Sequence, residues 1–386
     1  MKTTNQIILG NSKKMSEVPS GSISLVVTSP PYPMIEMWDD LFCSLDPRVK
    51  DALDSFSREK AFELMHKSLD PVWKETFRVL RQGGIACINI GDATRNLNGD
   101  FKLYSNHARI LHYLLQLGFN ILPNILWRKQ TNAPNKFMGS GMLPGGAYVT
   151  LEHEHILIIR KGGKREFAVE SEKVNRRKSA IFWEERNIFF SDIWMDIKGT
   201  RQGLSKKSSR LRSGAYPFEL VYRLISMYSA KNDTILDPFL GTGTTMAAAM
   251  VAARNCVGYE IDPKLKDSIY DMCENIIDFG NQYINARLEK HMVFVAERLK
   301  SKGPLKHNNM PHGFPVITSQ EKELTINEIA TVKKVAGLFE VSYLETPRYF
   351  TSIKSGENLP DKITPCKNKI YTDGPGADVK RQLTFF

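Results

Sequence analysis

Two short stretches of the chain carry residue types that could do chemistry. Thr28-Ser29-Pro30-Pro31-Tyr32 directly follows the apolar run Ile23–Val27. Consecutive prolines fix the backbone and remove two N–H donors, leaving carbonyls that only accept. Ser29 adds an acceptor and Tyr32 a flat ring, so the set suits a planar, amine-bearing ring. The ring face rather than the hydroxyl is expected to do the work of Tyr32. A rigid Pro-Pro surface turn is the plain alternative. The second stretch is Asp237-Pro-Phe239-Leu-Gly241-Thr-Gly243-Thr244-Thr245, and Glu260 follows Gly241 by 19 residues. Glycines at 241 and 243 let the backbone turn tightly and approach a ligand, while an acid at the end of the next strand can hold ribose hydroxyls. Strand, glycines, helix, strand and acid in that order point to an adenosine-containing cofactor. Met246 fills the slot where a dinucleotide site would place a third glycine, which speaks against a nicotinamide dehydrogenase.

The elements that must position these residues alternate. Ile7–Leu9 and Ile23–Val27 read as buried parallel strands, residues 60–80 as a helix, and Ile85–Ile90 as a strand after Gly83–Gly84. Asn106–Leu117 sets Ile110, Leu111, Leu114 and Leu117 on one helical face, and Gly118 caps it. Strands Ile121–Trp127 and His155–Ile159 follow. A helix resumes at Phe218, then come the strand Thr234–Leu236, a helix over Thr244–Ala253 and the strand Cys256–Ile261. The fold expected is α/β, a doubly wound Rossmann-like sheet with an insertion over 161–213 projecting from one edge. The catalytic half would span 1–160 and the cofactor half 214–300. Residues 301–386 read as an unassigned, Pro- and Lys-rich extension.

Composition narrows the partners. Fifty-three Lys and Arg against 42 Asp and Glu leave a net charge of +11, which favours a polyanion. The excess peaks between Arg160 and Arg212, where fifteen basic and seven acidic residues interleave with Phe167, Phe182, Trp183, Phe189, Phe190 and Trp194. Base-stacking surfaces combine these two residue types. The longest apolar run, Met246–Ala253, is eight residues, too short to span a bilayer. Five scattered cysteines form no close pair, as in a reducing cytoplasm. His153-Glu154-His155 suggests a metal, but alternate strand positions without a third ligand argue against one. Pro365-Cys366 lies far from the cofactor loop, so no cysteine nucleophile is expected.

Ser-Pro-Pro-Tyr after an apolar strand, followed downstream by Asp-Pro-Phe-x-Gly-x-Gly-Thr-Thr, resembles the amino-methyltransferases of DNA. The resemblance covers roughly residues 5–270. It takes in Ser191-Asp-Ile-Trp194 and Ala215-Tyr-Pro-Phe-Glu-Leu220, and its motif order is that of the permuted β class. It implies S-adenosylmethionine as cofactor and base flipping of double-stranded DNA. It implies that Asn11, Asp237, Phe239, Gly241, Gly243, Thr244 and Glu260 form the cofactor site, and that Ser29, Pro30, Pro31 and Tyr32 hold the target base. It further implies target recognition by the basic insertion, a cognate restriction endonuclease, and a monomer or homodimer in the cytoplasm. Asn11 stands where many members carry Asp, and Arg212 where His is frequent. Serine at position 29 goes with cytosine N4, and Asp or Asn there with adenine N6. The expected activity is therefore transfer of methyl to cytosine N4, with adenine N6 as runner-up. An RNA or protein methyltransferase and a non-catalytic DNA-binding module are the remaining alternatives.

Overall fold

The computed structural model describes residues 1–97, 99–129, 144–145, 149–199 and 216–350. Arg212, Ala215 and Cys366 lie outside these, as do residues 200–213 of the insertion. The strands are β1 (Lys2–Leu9), β2 (Ile23–Thr28), β3 (Leu80–Ile90), β4 (Ala93–Leu97), β5 (Asp100–Tyr104), β6 (Phe119–Ile121), β7 (Ile125–Arg128) and β8 (His153–Lys161). They continue with β9 (Ile193–Trp194), β10 (Thr234–Asp237), β11 (Asn255–Glu260), β12 (His307–Asn308), β13 (Pro315–Val316), β14 (Ile329–Val335) and β15 (Leu338–Tyr343).

One eleven-stranded sheet organises the chain, in the order β14-β15-β1-β11-β10-β2-β3-β8-β7-β9, with β6 also on β8. The five central strands, β1 to β3 in that order, are parallel. Alternation along β2 explains how both faces fill: Leu25 and Val27 join one core, Val26 the other. Helices Phe218–Tyr228, Thr244–Val251 and Ile276–Lys302 cover the first face, and Arg58–Val79 and Asn106–Gln116 the second. This is the doubly wound, Rossmann-like arrangement expected from the alternation. Among the described residues no helix is long and apolar enough to cross a membrane.

β8 pairs antiparallel with β3, from Ile90↔His155 to Ile85↔Arg160, so its amino end lies at the carboxyl edge of the parallel strands. Two expectations need correction. The segment 161–199 does not project as a separate unit. Its strand β9 pairs with β7, Phe182 and Trp194 belong to the first-face core, and Phe189 is buried beside them. Phe182 stacks 3.9 Å from His291, and the Arg223 guanidinium sits over both Phe189 and Trp194. These rings are structural, and only Trp183 and Phe190 of the group are exposed. Finally, residues 301–350 are integral. The hairpin β14–β15 extends the sheet through β1, from Lys2↔Ser342 to Gln6↔Leu338. Strong β-branched content in Ile329–Val335 was the missed signal.

Candidate active site

The two motifs stand at the carboxyl ends of neighbouring parallel strands, where open α/β sheets bind ligands. β2 ends at Thr28 and delivers Ser29–Tyr32, while β10 ends at Asp237 and delivers the glycine loop. Asp237 ties them together. Its Oδ1 accepts from the Thr28 hydroxyl at 2.6 Å and the Phe239 N–H at 3.0 Å. Its Oδ2 accepts from Thr245 at 2.6 Å and Tyr216 at 3.1 Å. Burial pushes this carboxyl above its ordinary range, and the four donors oppose that shift. Asp237 therefore does not face a cofactor, contrary to its expected role. It is the buried tie that sets the distance between the two loops.

The glycine loop fits an adenosine-type ligand. Gly241 and Gly243 have φ of +57° and +93°, a region that disfavours other residues. A Cβ at Gly241 would meet nothing closer than 4.0 Å, so its outer side is open, whereas at Gly243 it would lie 2.5 Å from Met272. Gly243 caps the helix Thr244–Val251, placing Thr244 in the first turn. Phe239 packs edge-on against Trp73 at 5.9 Å. Glu260, at the end of β11, accepts from the N–H groups of Gly241 at 2.8 Å and Asp262 at 2.7 Å. Burial raises its pKa despite those bonds. Asn11 follows β1, whose Leu9 pairs with Glu260, so the chain brings it to the same edge. Its Oδ1 accepts from the Lys13 N–H.

The second loop is more tightly braced than its prolines suggested. Pro30 and Pro31 are buried, while Ser29 and Tyr32 are half-buried. The Asn106 side chain donates to the carbonyls of Pro33 at 3.1 Å and Gly91 at 3.0 Å, and Met34 adopts a φ of +65°. Local strain of this kind persists only where neighbours hold it. Gly91 makes room for the tyrosine, because a Cβ there would lie 3.0 Å from Tyr32 Cε2. The Tyr32 hydroxyl accepts from Ser29 Oγ at 3.1 Å and Asn89 Nδ2 at 2.9 Å, and it donates to Glu154 Oε2 at 2.9 Å. Glu154 Oε1 accepts from Lys129 Nζ at 2.8 Å.

Sequence reasoning missed Asn89 and Glu154. Asn89 is the one polar residue in the run Ile85–Ile90, and Glu154 was weighed only together with its flanking histidines, as a metal pattern that was set aside. Period-two alternation separates them: Glu154 reaches Tyr32, while His153 and His155 belong to another cluster. In that cluster the ligand atoms of Asp92, His107 and His155 lie within 4.8 Å of one another, so a third potential ligand does exist. The His107 and His155 rings are stacked 3.8 Å apart at 16°, however, so their in-plane lone pairs run side by side instead of converging on one ion. His107 Nδ1 lies 2.8 Å from both Asp92 oxygens. This geometry is a histidine stack on a carboxylate.

Comparison with known proteins agrees with the geometry. The sequence profile of the DNA methylase family matches residues 23–271. The chain is 48 % identical over 347 residues to the Type II methyltransferase M.MthZI of Methanothermobacter thermautotrophicus, covering 89 % of this chain and 96 % of that one. It is also 48 % identical over 299 residues to M.MjaI of Methanocaldococcus jannaschii, covering 73 % and 97 %. A solved Thermus thermophilus protein, described as a DNA modification methylase in complex with S-adenosyl-L-methionine, superposes with a TM-score of 0.54. It shares 30 % identity and covers 69 % of this chain and 93 % of its own. The profile match, the near full-length relatives and the two loops at one sheet edge lead to a single assignment. The chain belongs to the DNA methylase family, the S-adenosylmethionine-dependent amino-methyltransferases of restriction–modification systems.

Proposed function

We propose that the chain methylates the exocyclic N4 amine of cytosine at specific sites in duplex DNA. The observation that carries this reading is the serine heading the Pro-Pro-Tyr loop. Its hydroxyl hydrogen is directed to Tyr32, which leaves the Ser29 oxygen lone pairs for an incoming amine. A nucleobase amine is a poor nucleophile because its lone pair is delocalised into the ring. Acceptance of its hydrogens by Ser29 Oγ and the Pro30 carbonyl would draw the nitrogen toward tetrahedral geometry and free that pair. S-adenosylmethionine supplies the electrophilic methyl, and Gly241, Gly243, Thr244, Phe239, Asn11 and Glu260 would hold it. Positioning and fixed dipoles, rather than a covalent enzyme intermediate, account for the acceleration.

The target base has to leave the helix, at a cost of a few kcal/mol that stacking on Tyr32 partly offsets. Arg128 and Lys129 stand at the same edge, at the end of β7, and suit phosphate contact. A cognate endonuclease sharing the recognition sequence completes this reading. Digesting methylated DNA to nucleosides and measuring their masses tests it: N4-methylcytosine is expected, and N6-methyladenine would replace it with the adenine reading.

A further inference from the structure

We propose that Ser29, Tyr32 and Glu154 form a proton relay that carries the proton released by amine methylation to a buried carboxylate. The proposal rests on amine methylation and holds for either base. When the N–C bond forms and the methyl leaves sulfur, the nitrogen bears a positive charge and one hydrogen too many. Such an aminium is strongly acidic, so an ordinary carboxylate suffices as acceptor if a path reaches it.

The path has a fixed direction. Ser29 Oγ donates to the Tyr32 oxygen at 3.1 Å, and Asn89 Nδ2 donates to the same oxygen at 2.9 Å. Both tyrosine lone pairs are then engaged, and its single hydrogen goes to Glu154 Oε2 at 2.9 Å. The orientation of the Asn89 amide is set by charge: its Nδ2 also lies 2.6 Å from Glu154 Oε2, where an oxygen would be repelled. Among the described residues Asn89 Oδ1 is buried without a partner, so it is the donor side of the amide that is turned to the tyrosine and the carboxylate. Lys129 engages only Oε1, so an ion pair alone does not explain why Oε2 is aimed at the catalytic loop.

The protons balance along this chain. The amine N–H bond breaks as Ser29 Oγ takes the proton and passes its own hydrogen to the Tyr32 oxygen. The tyrosine hydrogen passes to Glu154 Oε2. Each hydroxyl gains and loses one hydrogen, Glu154 becomes a neutral acid, and the base becomes a neutral N-methylamine. Tyr32 never has to ionise. That agrees with its setting, since burial and the Glu154 charge push its pKa up. Lys129, whose side chain is 43 % exposed, marks the solvent side from which Glu154 returns its proton between turnovers.

The test is single-turnover methylation of unmethylated plasmid DNA with tritiated S-adenosylmethionine, enzyme in excess, and methylated nucleosides quantified. Wild-type product formation tests amine methylation itself, so a failed relay and a failed activity assignment are distinguishable. Glu154→Gln keeps the shape and an oxygen for the tyrosine hydrogen but is no base. It is expected to slow the chemical step about 100-fold, with DNA and cofactor Kd within about twofold of wild type, a loss of general-base chemistry rather than of binding. Tyr32→Phe keeps the ring and cuts the chain at its middle, so it should lose a similar factor even if the Gln variant folds poorly. The double variant should be no slower than the slower single one, as for residues that act as a unit. A Glu154→Gln enzyme as fast as wild type, or single losses that multiply in the double variant, would overturn the relay.

Discussion

The two ends of β8 place similar residues in opposite roles. At one end, Glu154 closes on Tyr32 and Lys129 stands beside it over the Trp127 ring. At the other, Lys161 donates to the carbonyls of Phe77 and Leu80 at the end of the Arg58–Val79 helix, and Arg165 pairs with Asp233 at 2.5 Å. Arg165 and Arg176 both lie over the Phe167 ring, and Arg177 pairs with Glu170 and Glu323. Charged and aromatic residues mix at both ends, yet only the first is at the carboxyl edge of the parallel strands. The antiparallel register of β8 on β3 decides which is which. Composition marks cations and rings; topology decides whether they meet a ligand.

The sharpest way to test that contrast is to remove the group on which the carboxyl edge is built. Asp237→Ala leaves buried donors on Thr28, Thr245, Tyr216 and Phe239 without their acceptor. We expect a loss of roughly 3 kcal/mol or more, since each stranded buried donor costs about 1–3 kcal/mol. Denaturant unfolding measures it, and a change below about 1 kcal/mol would show that the tie is dispensable. Gly241→Val comes next. It forces a branched residue into a left-handed conformation and fills the open side of the loop, so the Kd for S-adenosylmethionine should rise about 100-fold, near 2.7 kcal/mol. Calorimetry finding wild-type affinity would remove the loop from the cofactor site.

Glu260→Ala should weaken cofactor binding by about 1.5–3 kcal/mol if its carboxylate holds ribose hydroxyls. The sign of the pH dependence follows from its setting. Burial raises the Glu260 pKa, and only the ionised form accepts strongly, so affinity is full above that pKa and falls as pH drops through it. The loss should begin at higher pH than for an exposed glutamate. Glu260→Gln should bind more weakly at neutral pH and show little further change on mild acidification. A wild-type affinity that is flat over the same range would exclude the ionised carboxylate as the contact.

Much of this edge was legible because its motifs are local. Ser29–Tyr32 and Gly241–Gly243 each occupy a few consecutive residues after an apolar strand, and the strands delivered them where the alternation predicted. What stayed hidden depends on pairing between distant strands. Nothing near Glu154 in the chain says that it meets Tyr32, because that contact is made by the β3–β8 register. Asp237 was read as a ligand group together with its neighbours in the motif; only the fold shows that Thr28 and Tyr216 close over it. The basic segment misled for a related reason. All seven of its acids fall before residue 200, where Arg165 and Arg177 meet acidic partners, whereas the sequence from Arg201 to Arg212 holds five cations and no acid. Averaging over 53 residues merged two different stretches.

The smallest expected effects separate the two edges most directly. Charge alone would have Arg176→Ala with Arg177→Ala weaken duplex binding and flatten its salt dependence. The structure places Arg176 on Phe167 and Arg177 in ion pairs at the amino edge, so the slope of log Kd against log salt should not change. Arg128 sits at the carboxyl edge with its side chain 43 % exposed, paired with the partly exposed Glu152. Arg128→Ala should weaken binding to all sequences alike and reduce the slope by about one, as expected for one lost phosphate contact. Fluorescence anisotropy over a salt series, with the same duplex for each variant, gives both slopes. If the Arg176–Arg177 variant flattened the slope and the Arg128 variant did not, DNA would have to cross the amino edge. The contrast between the two ends of β8 would then be reversed.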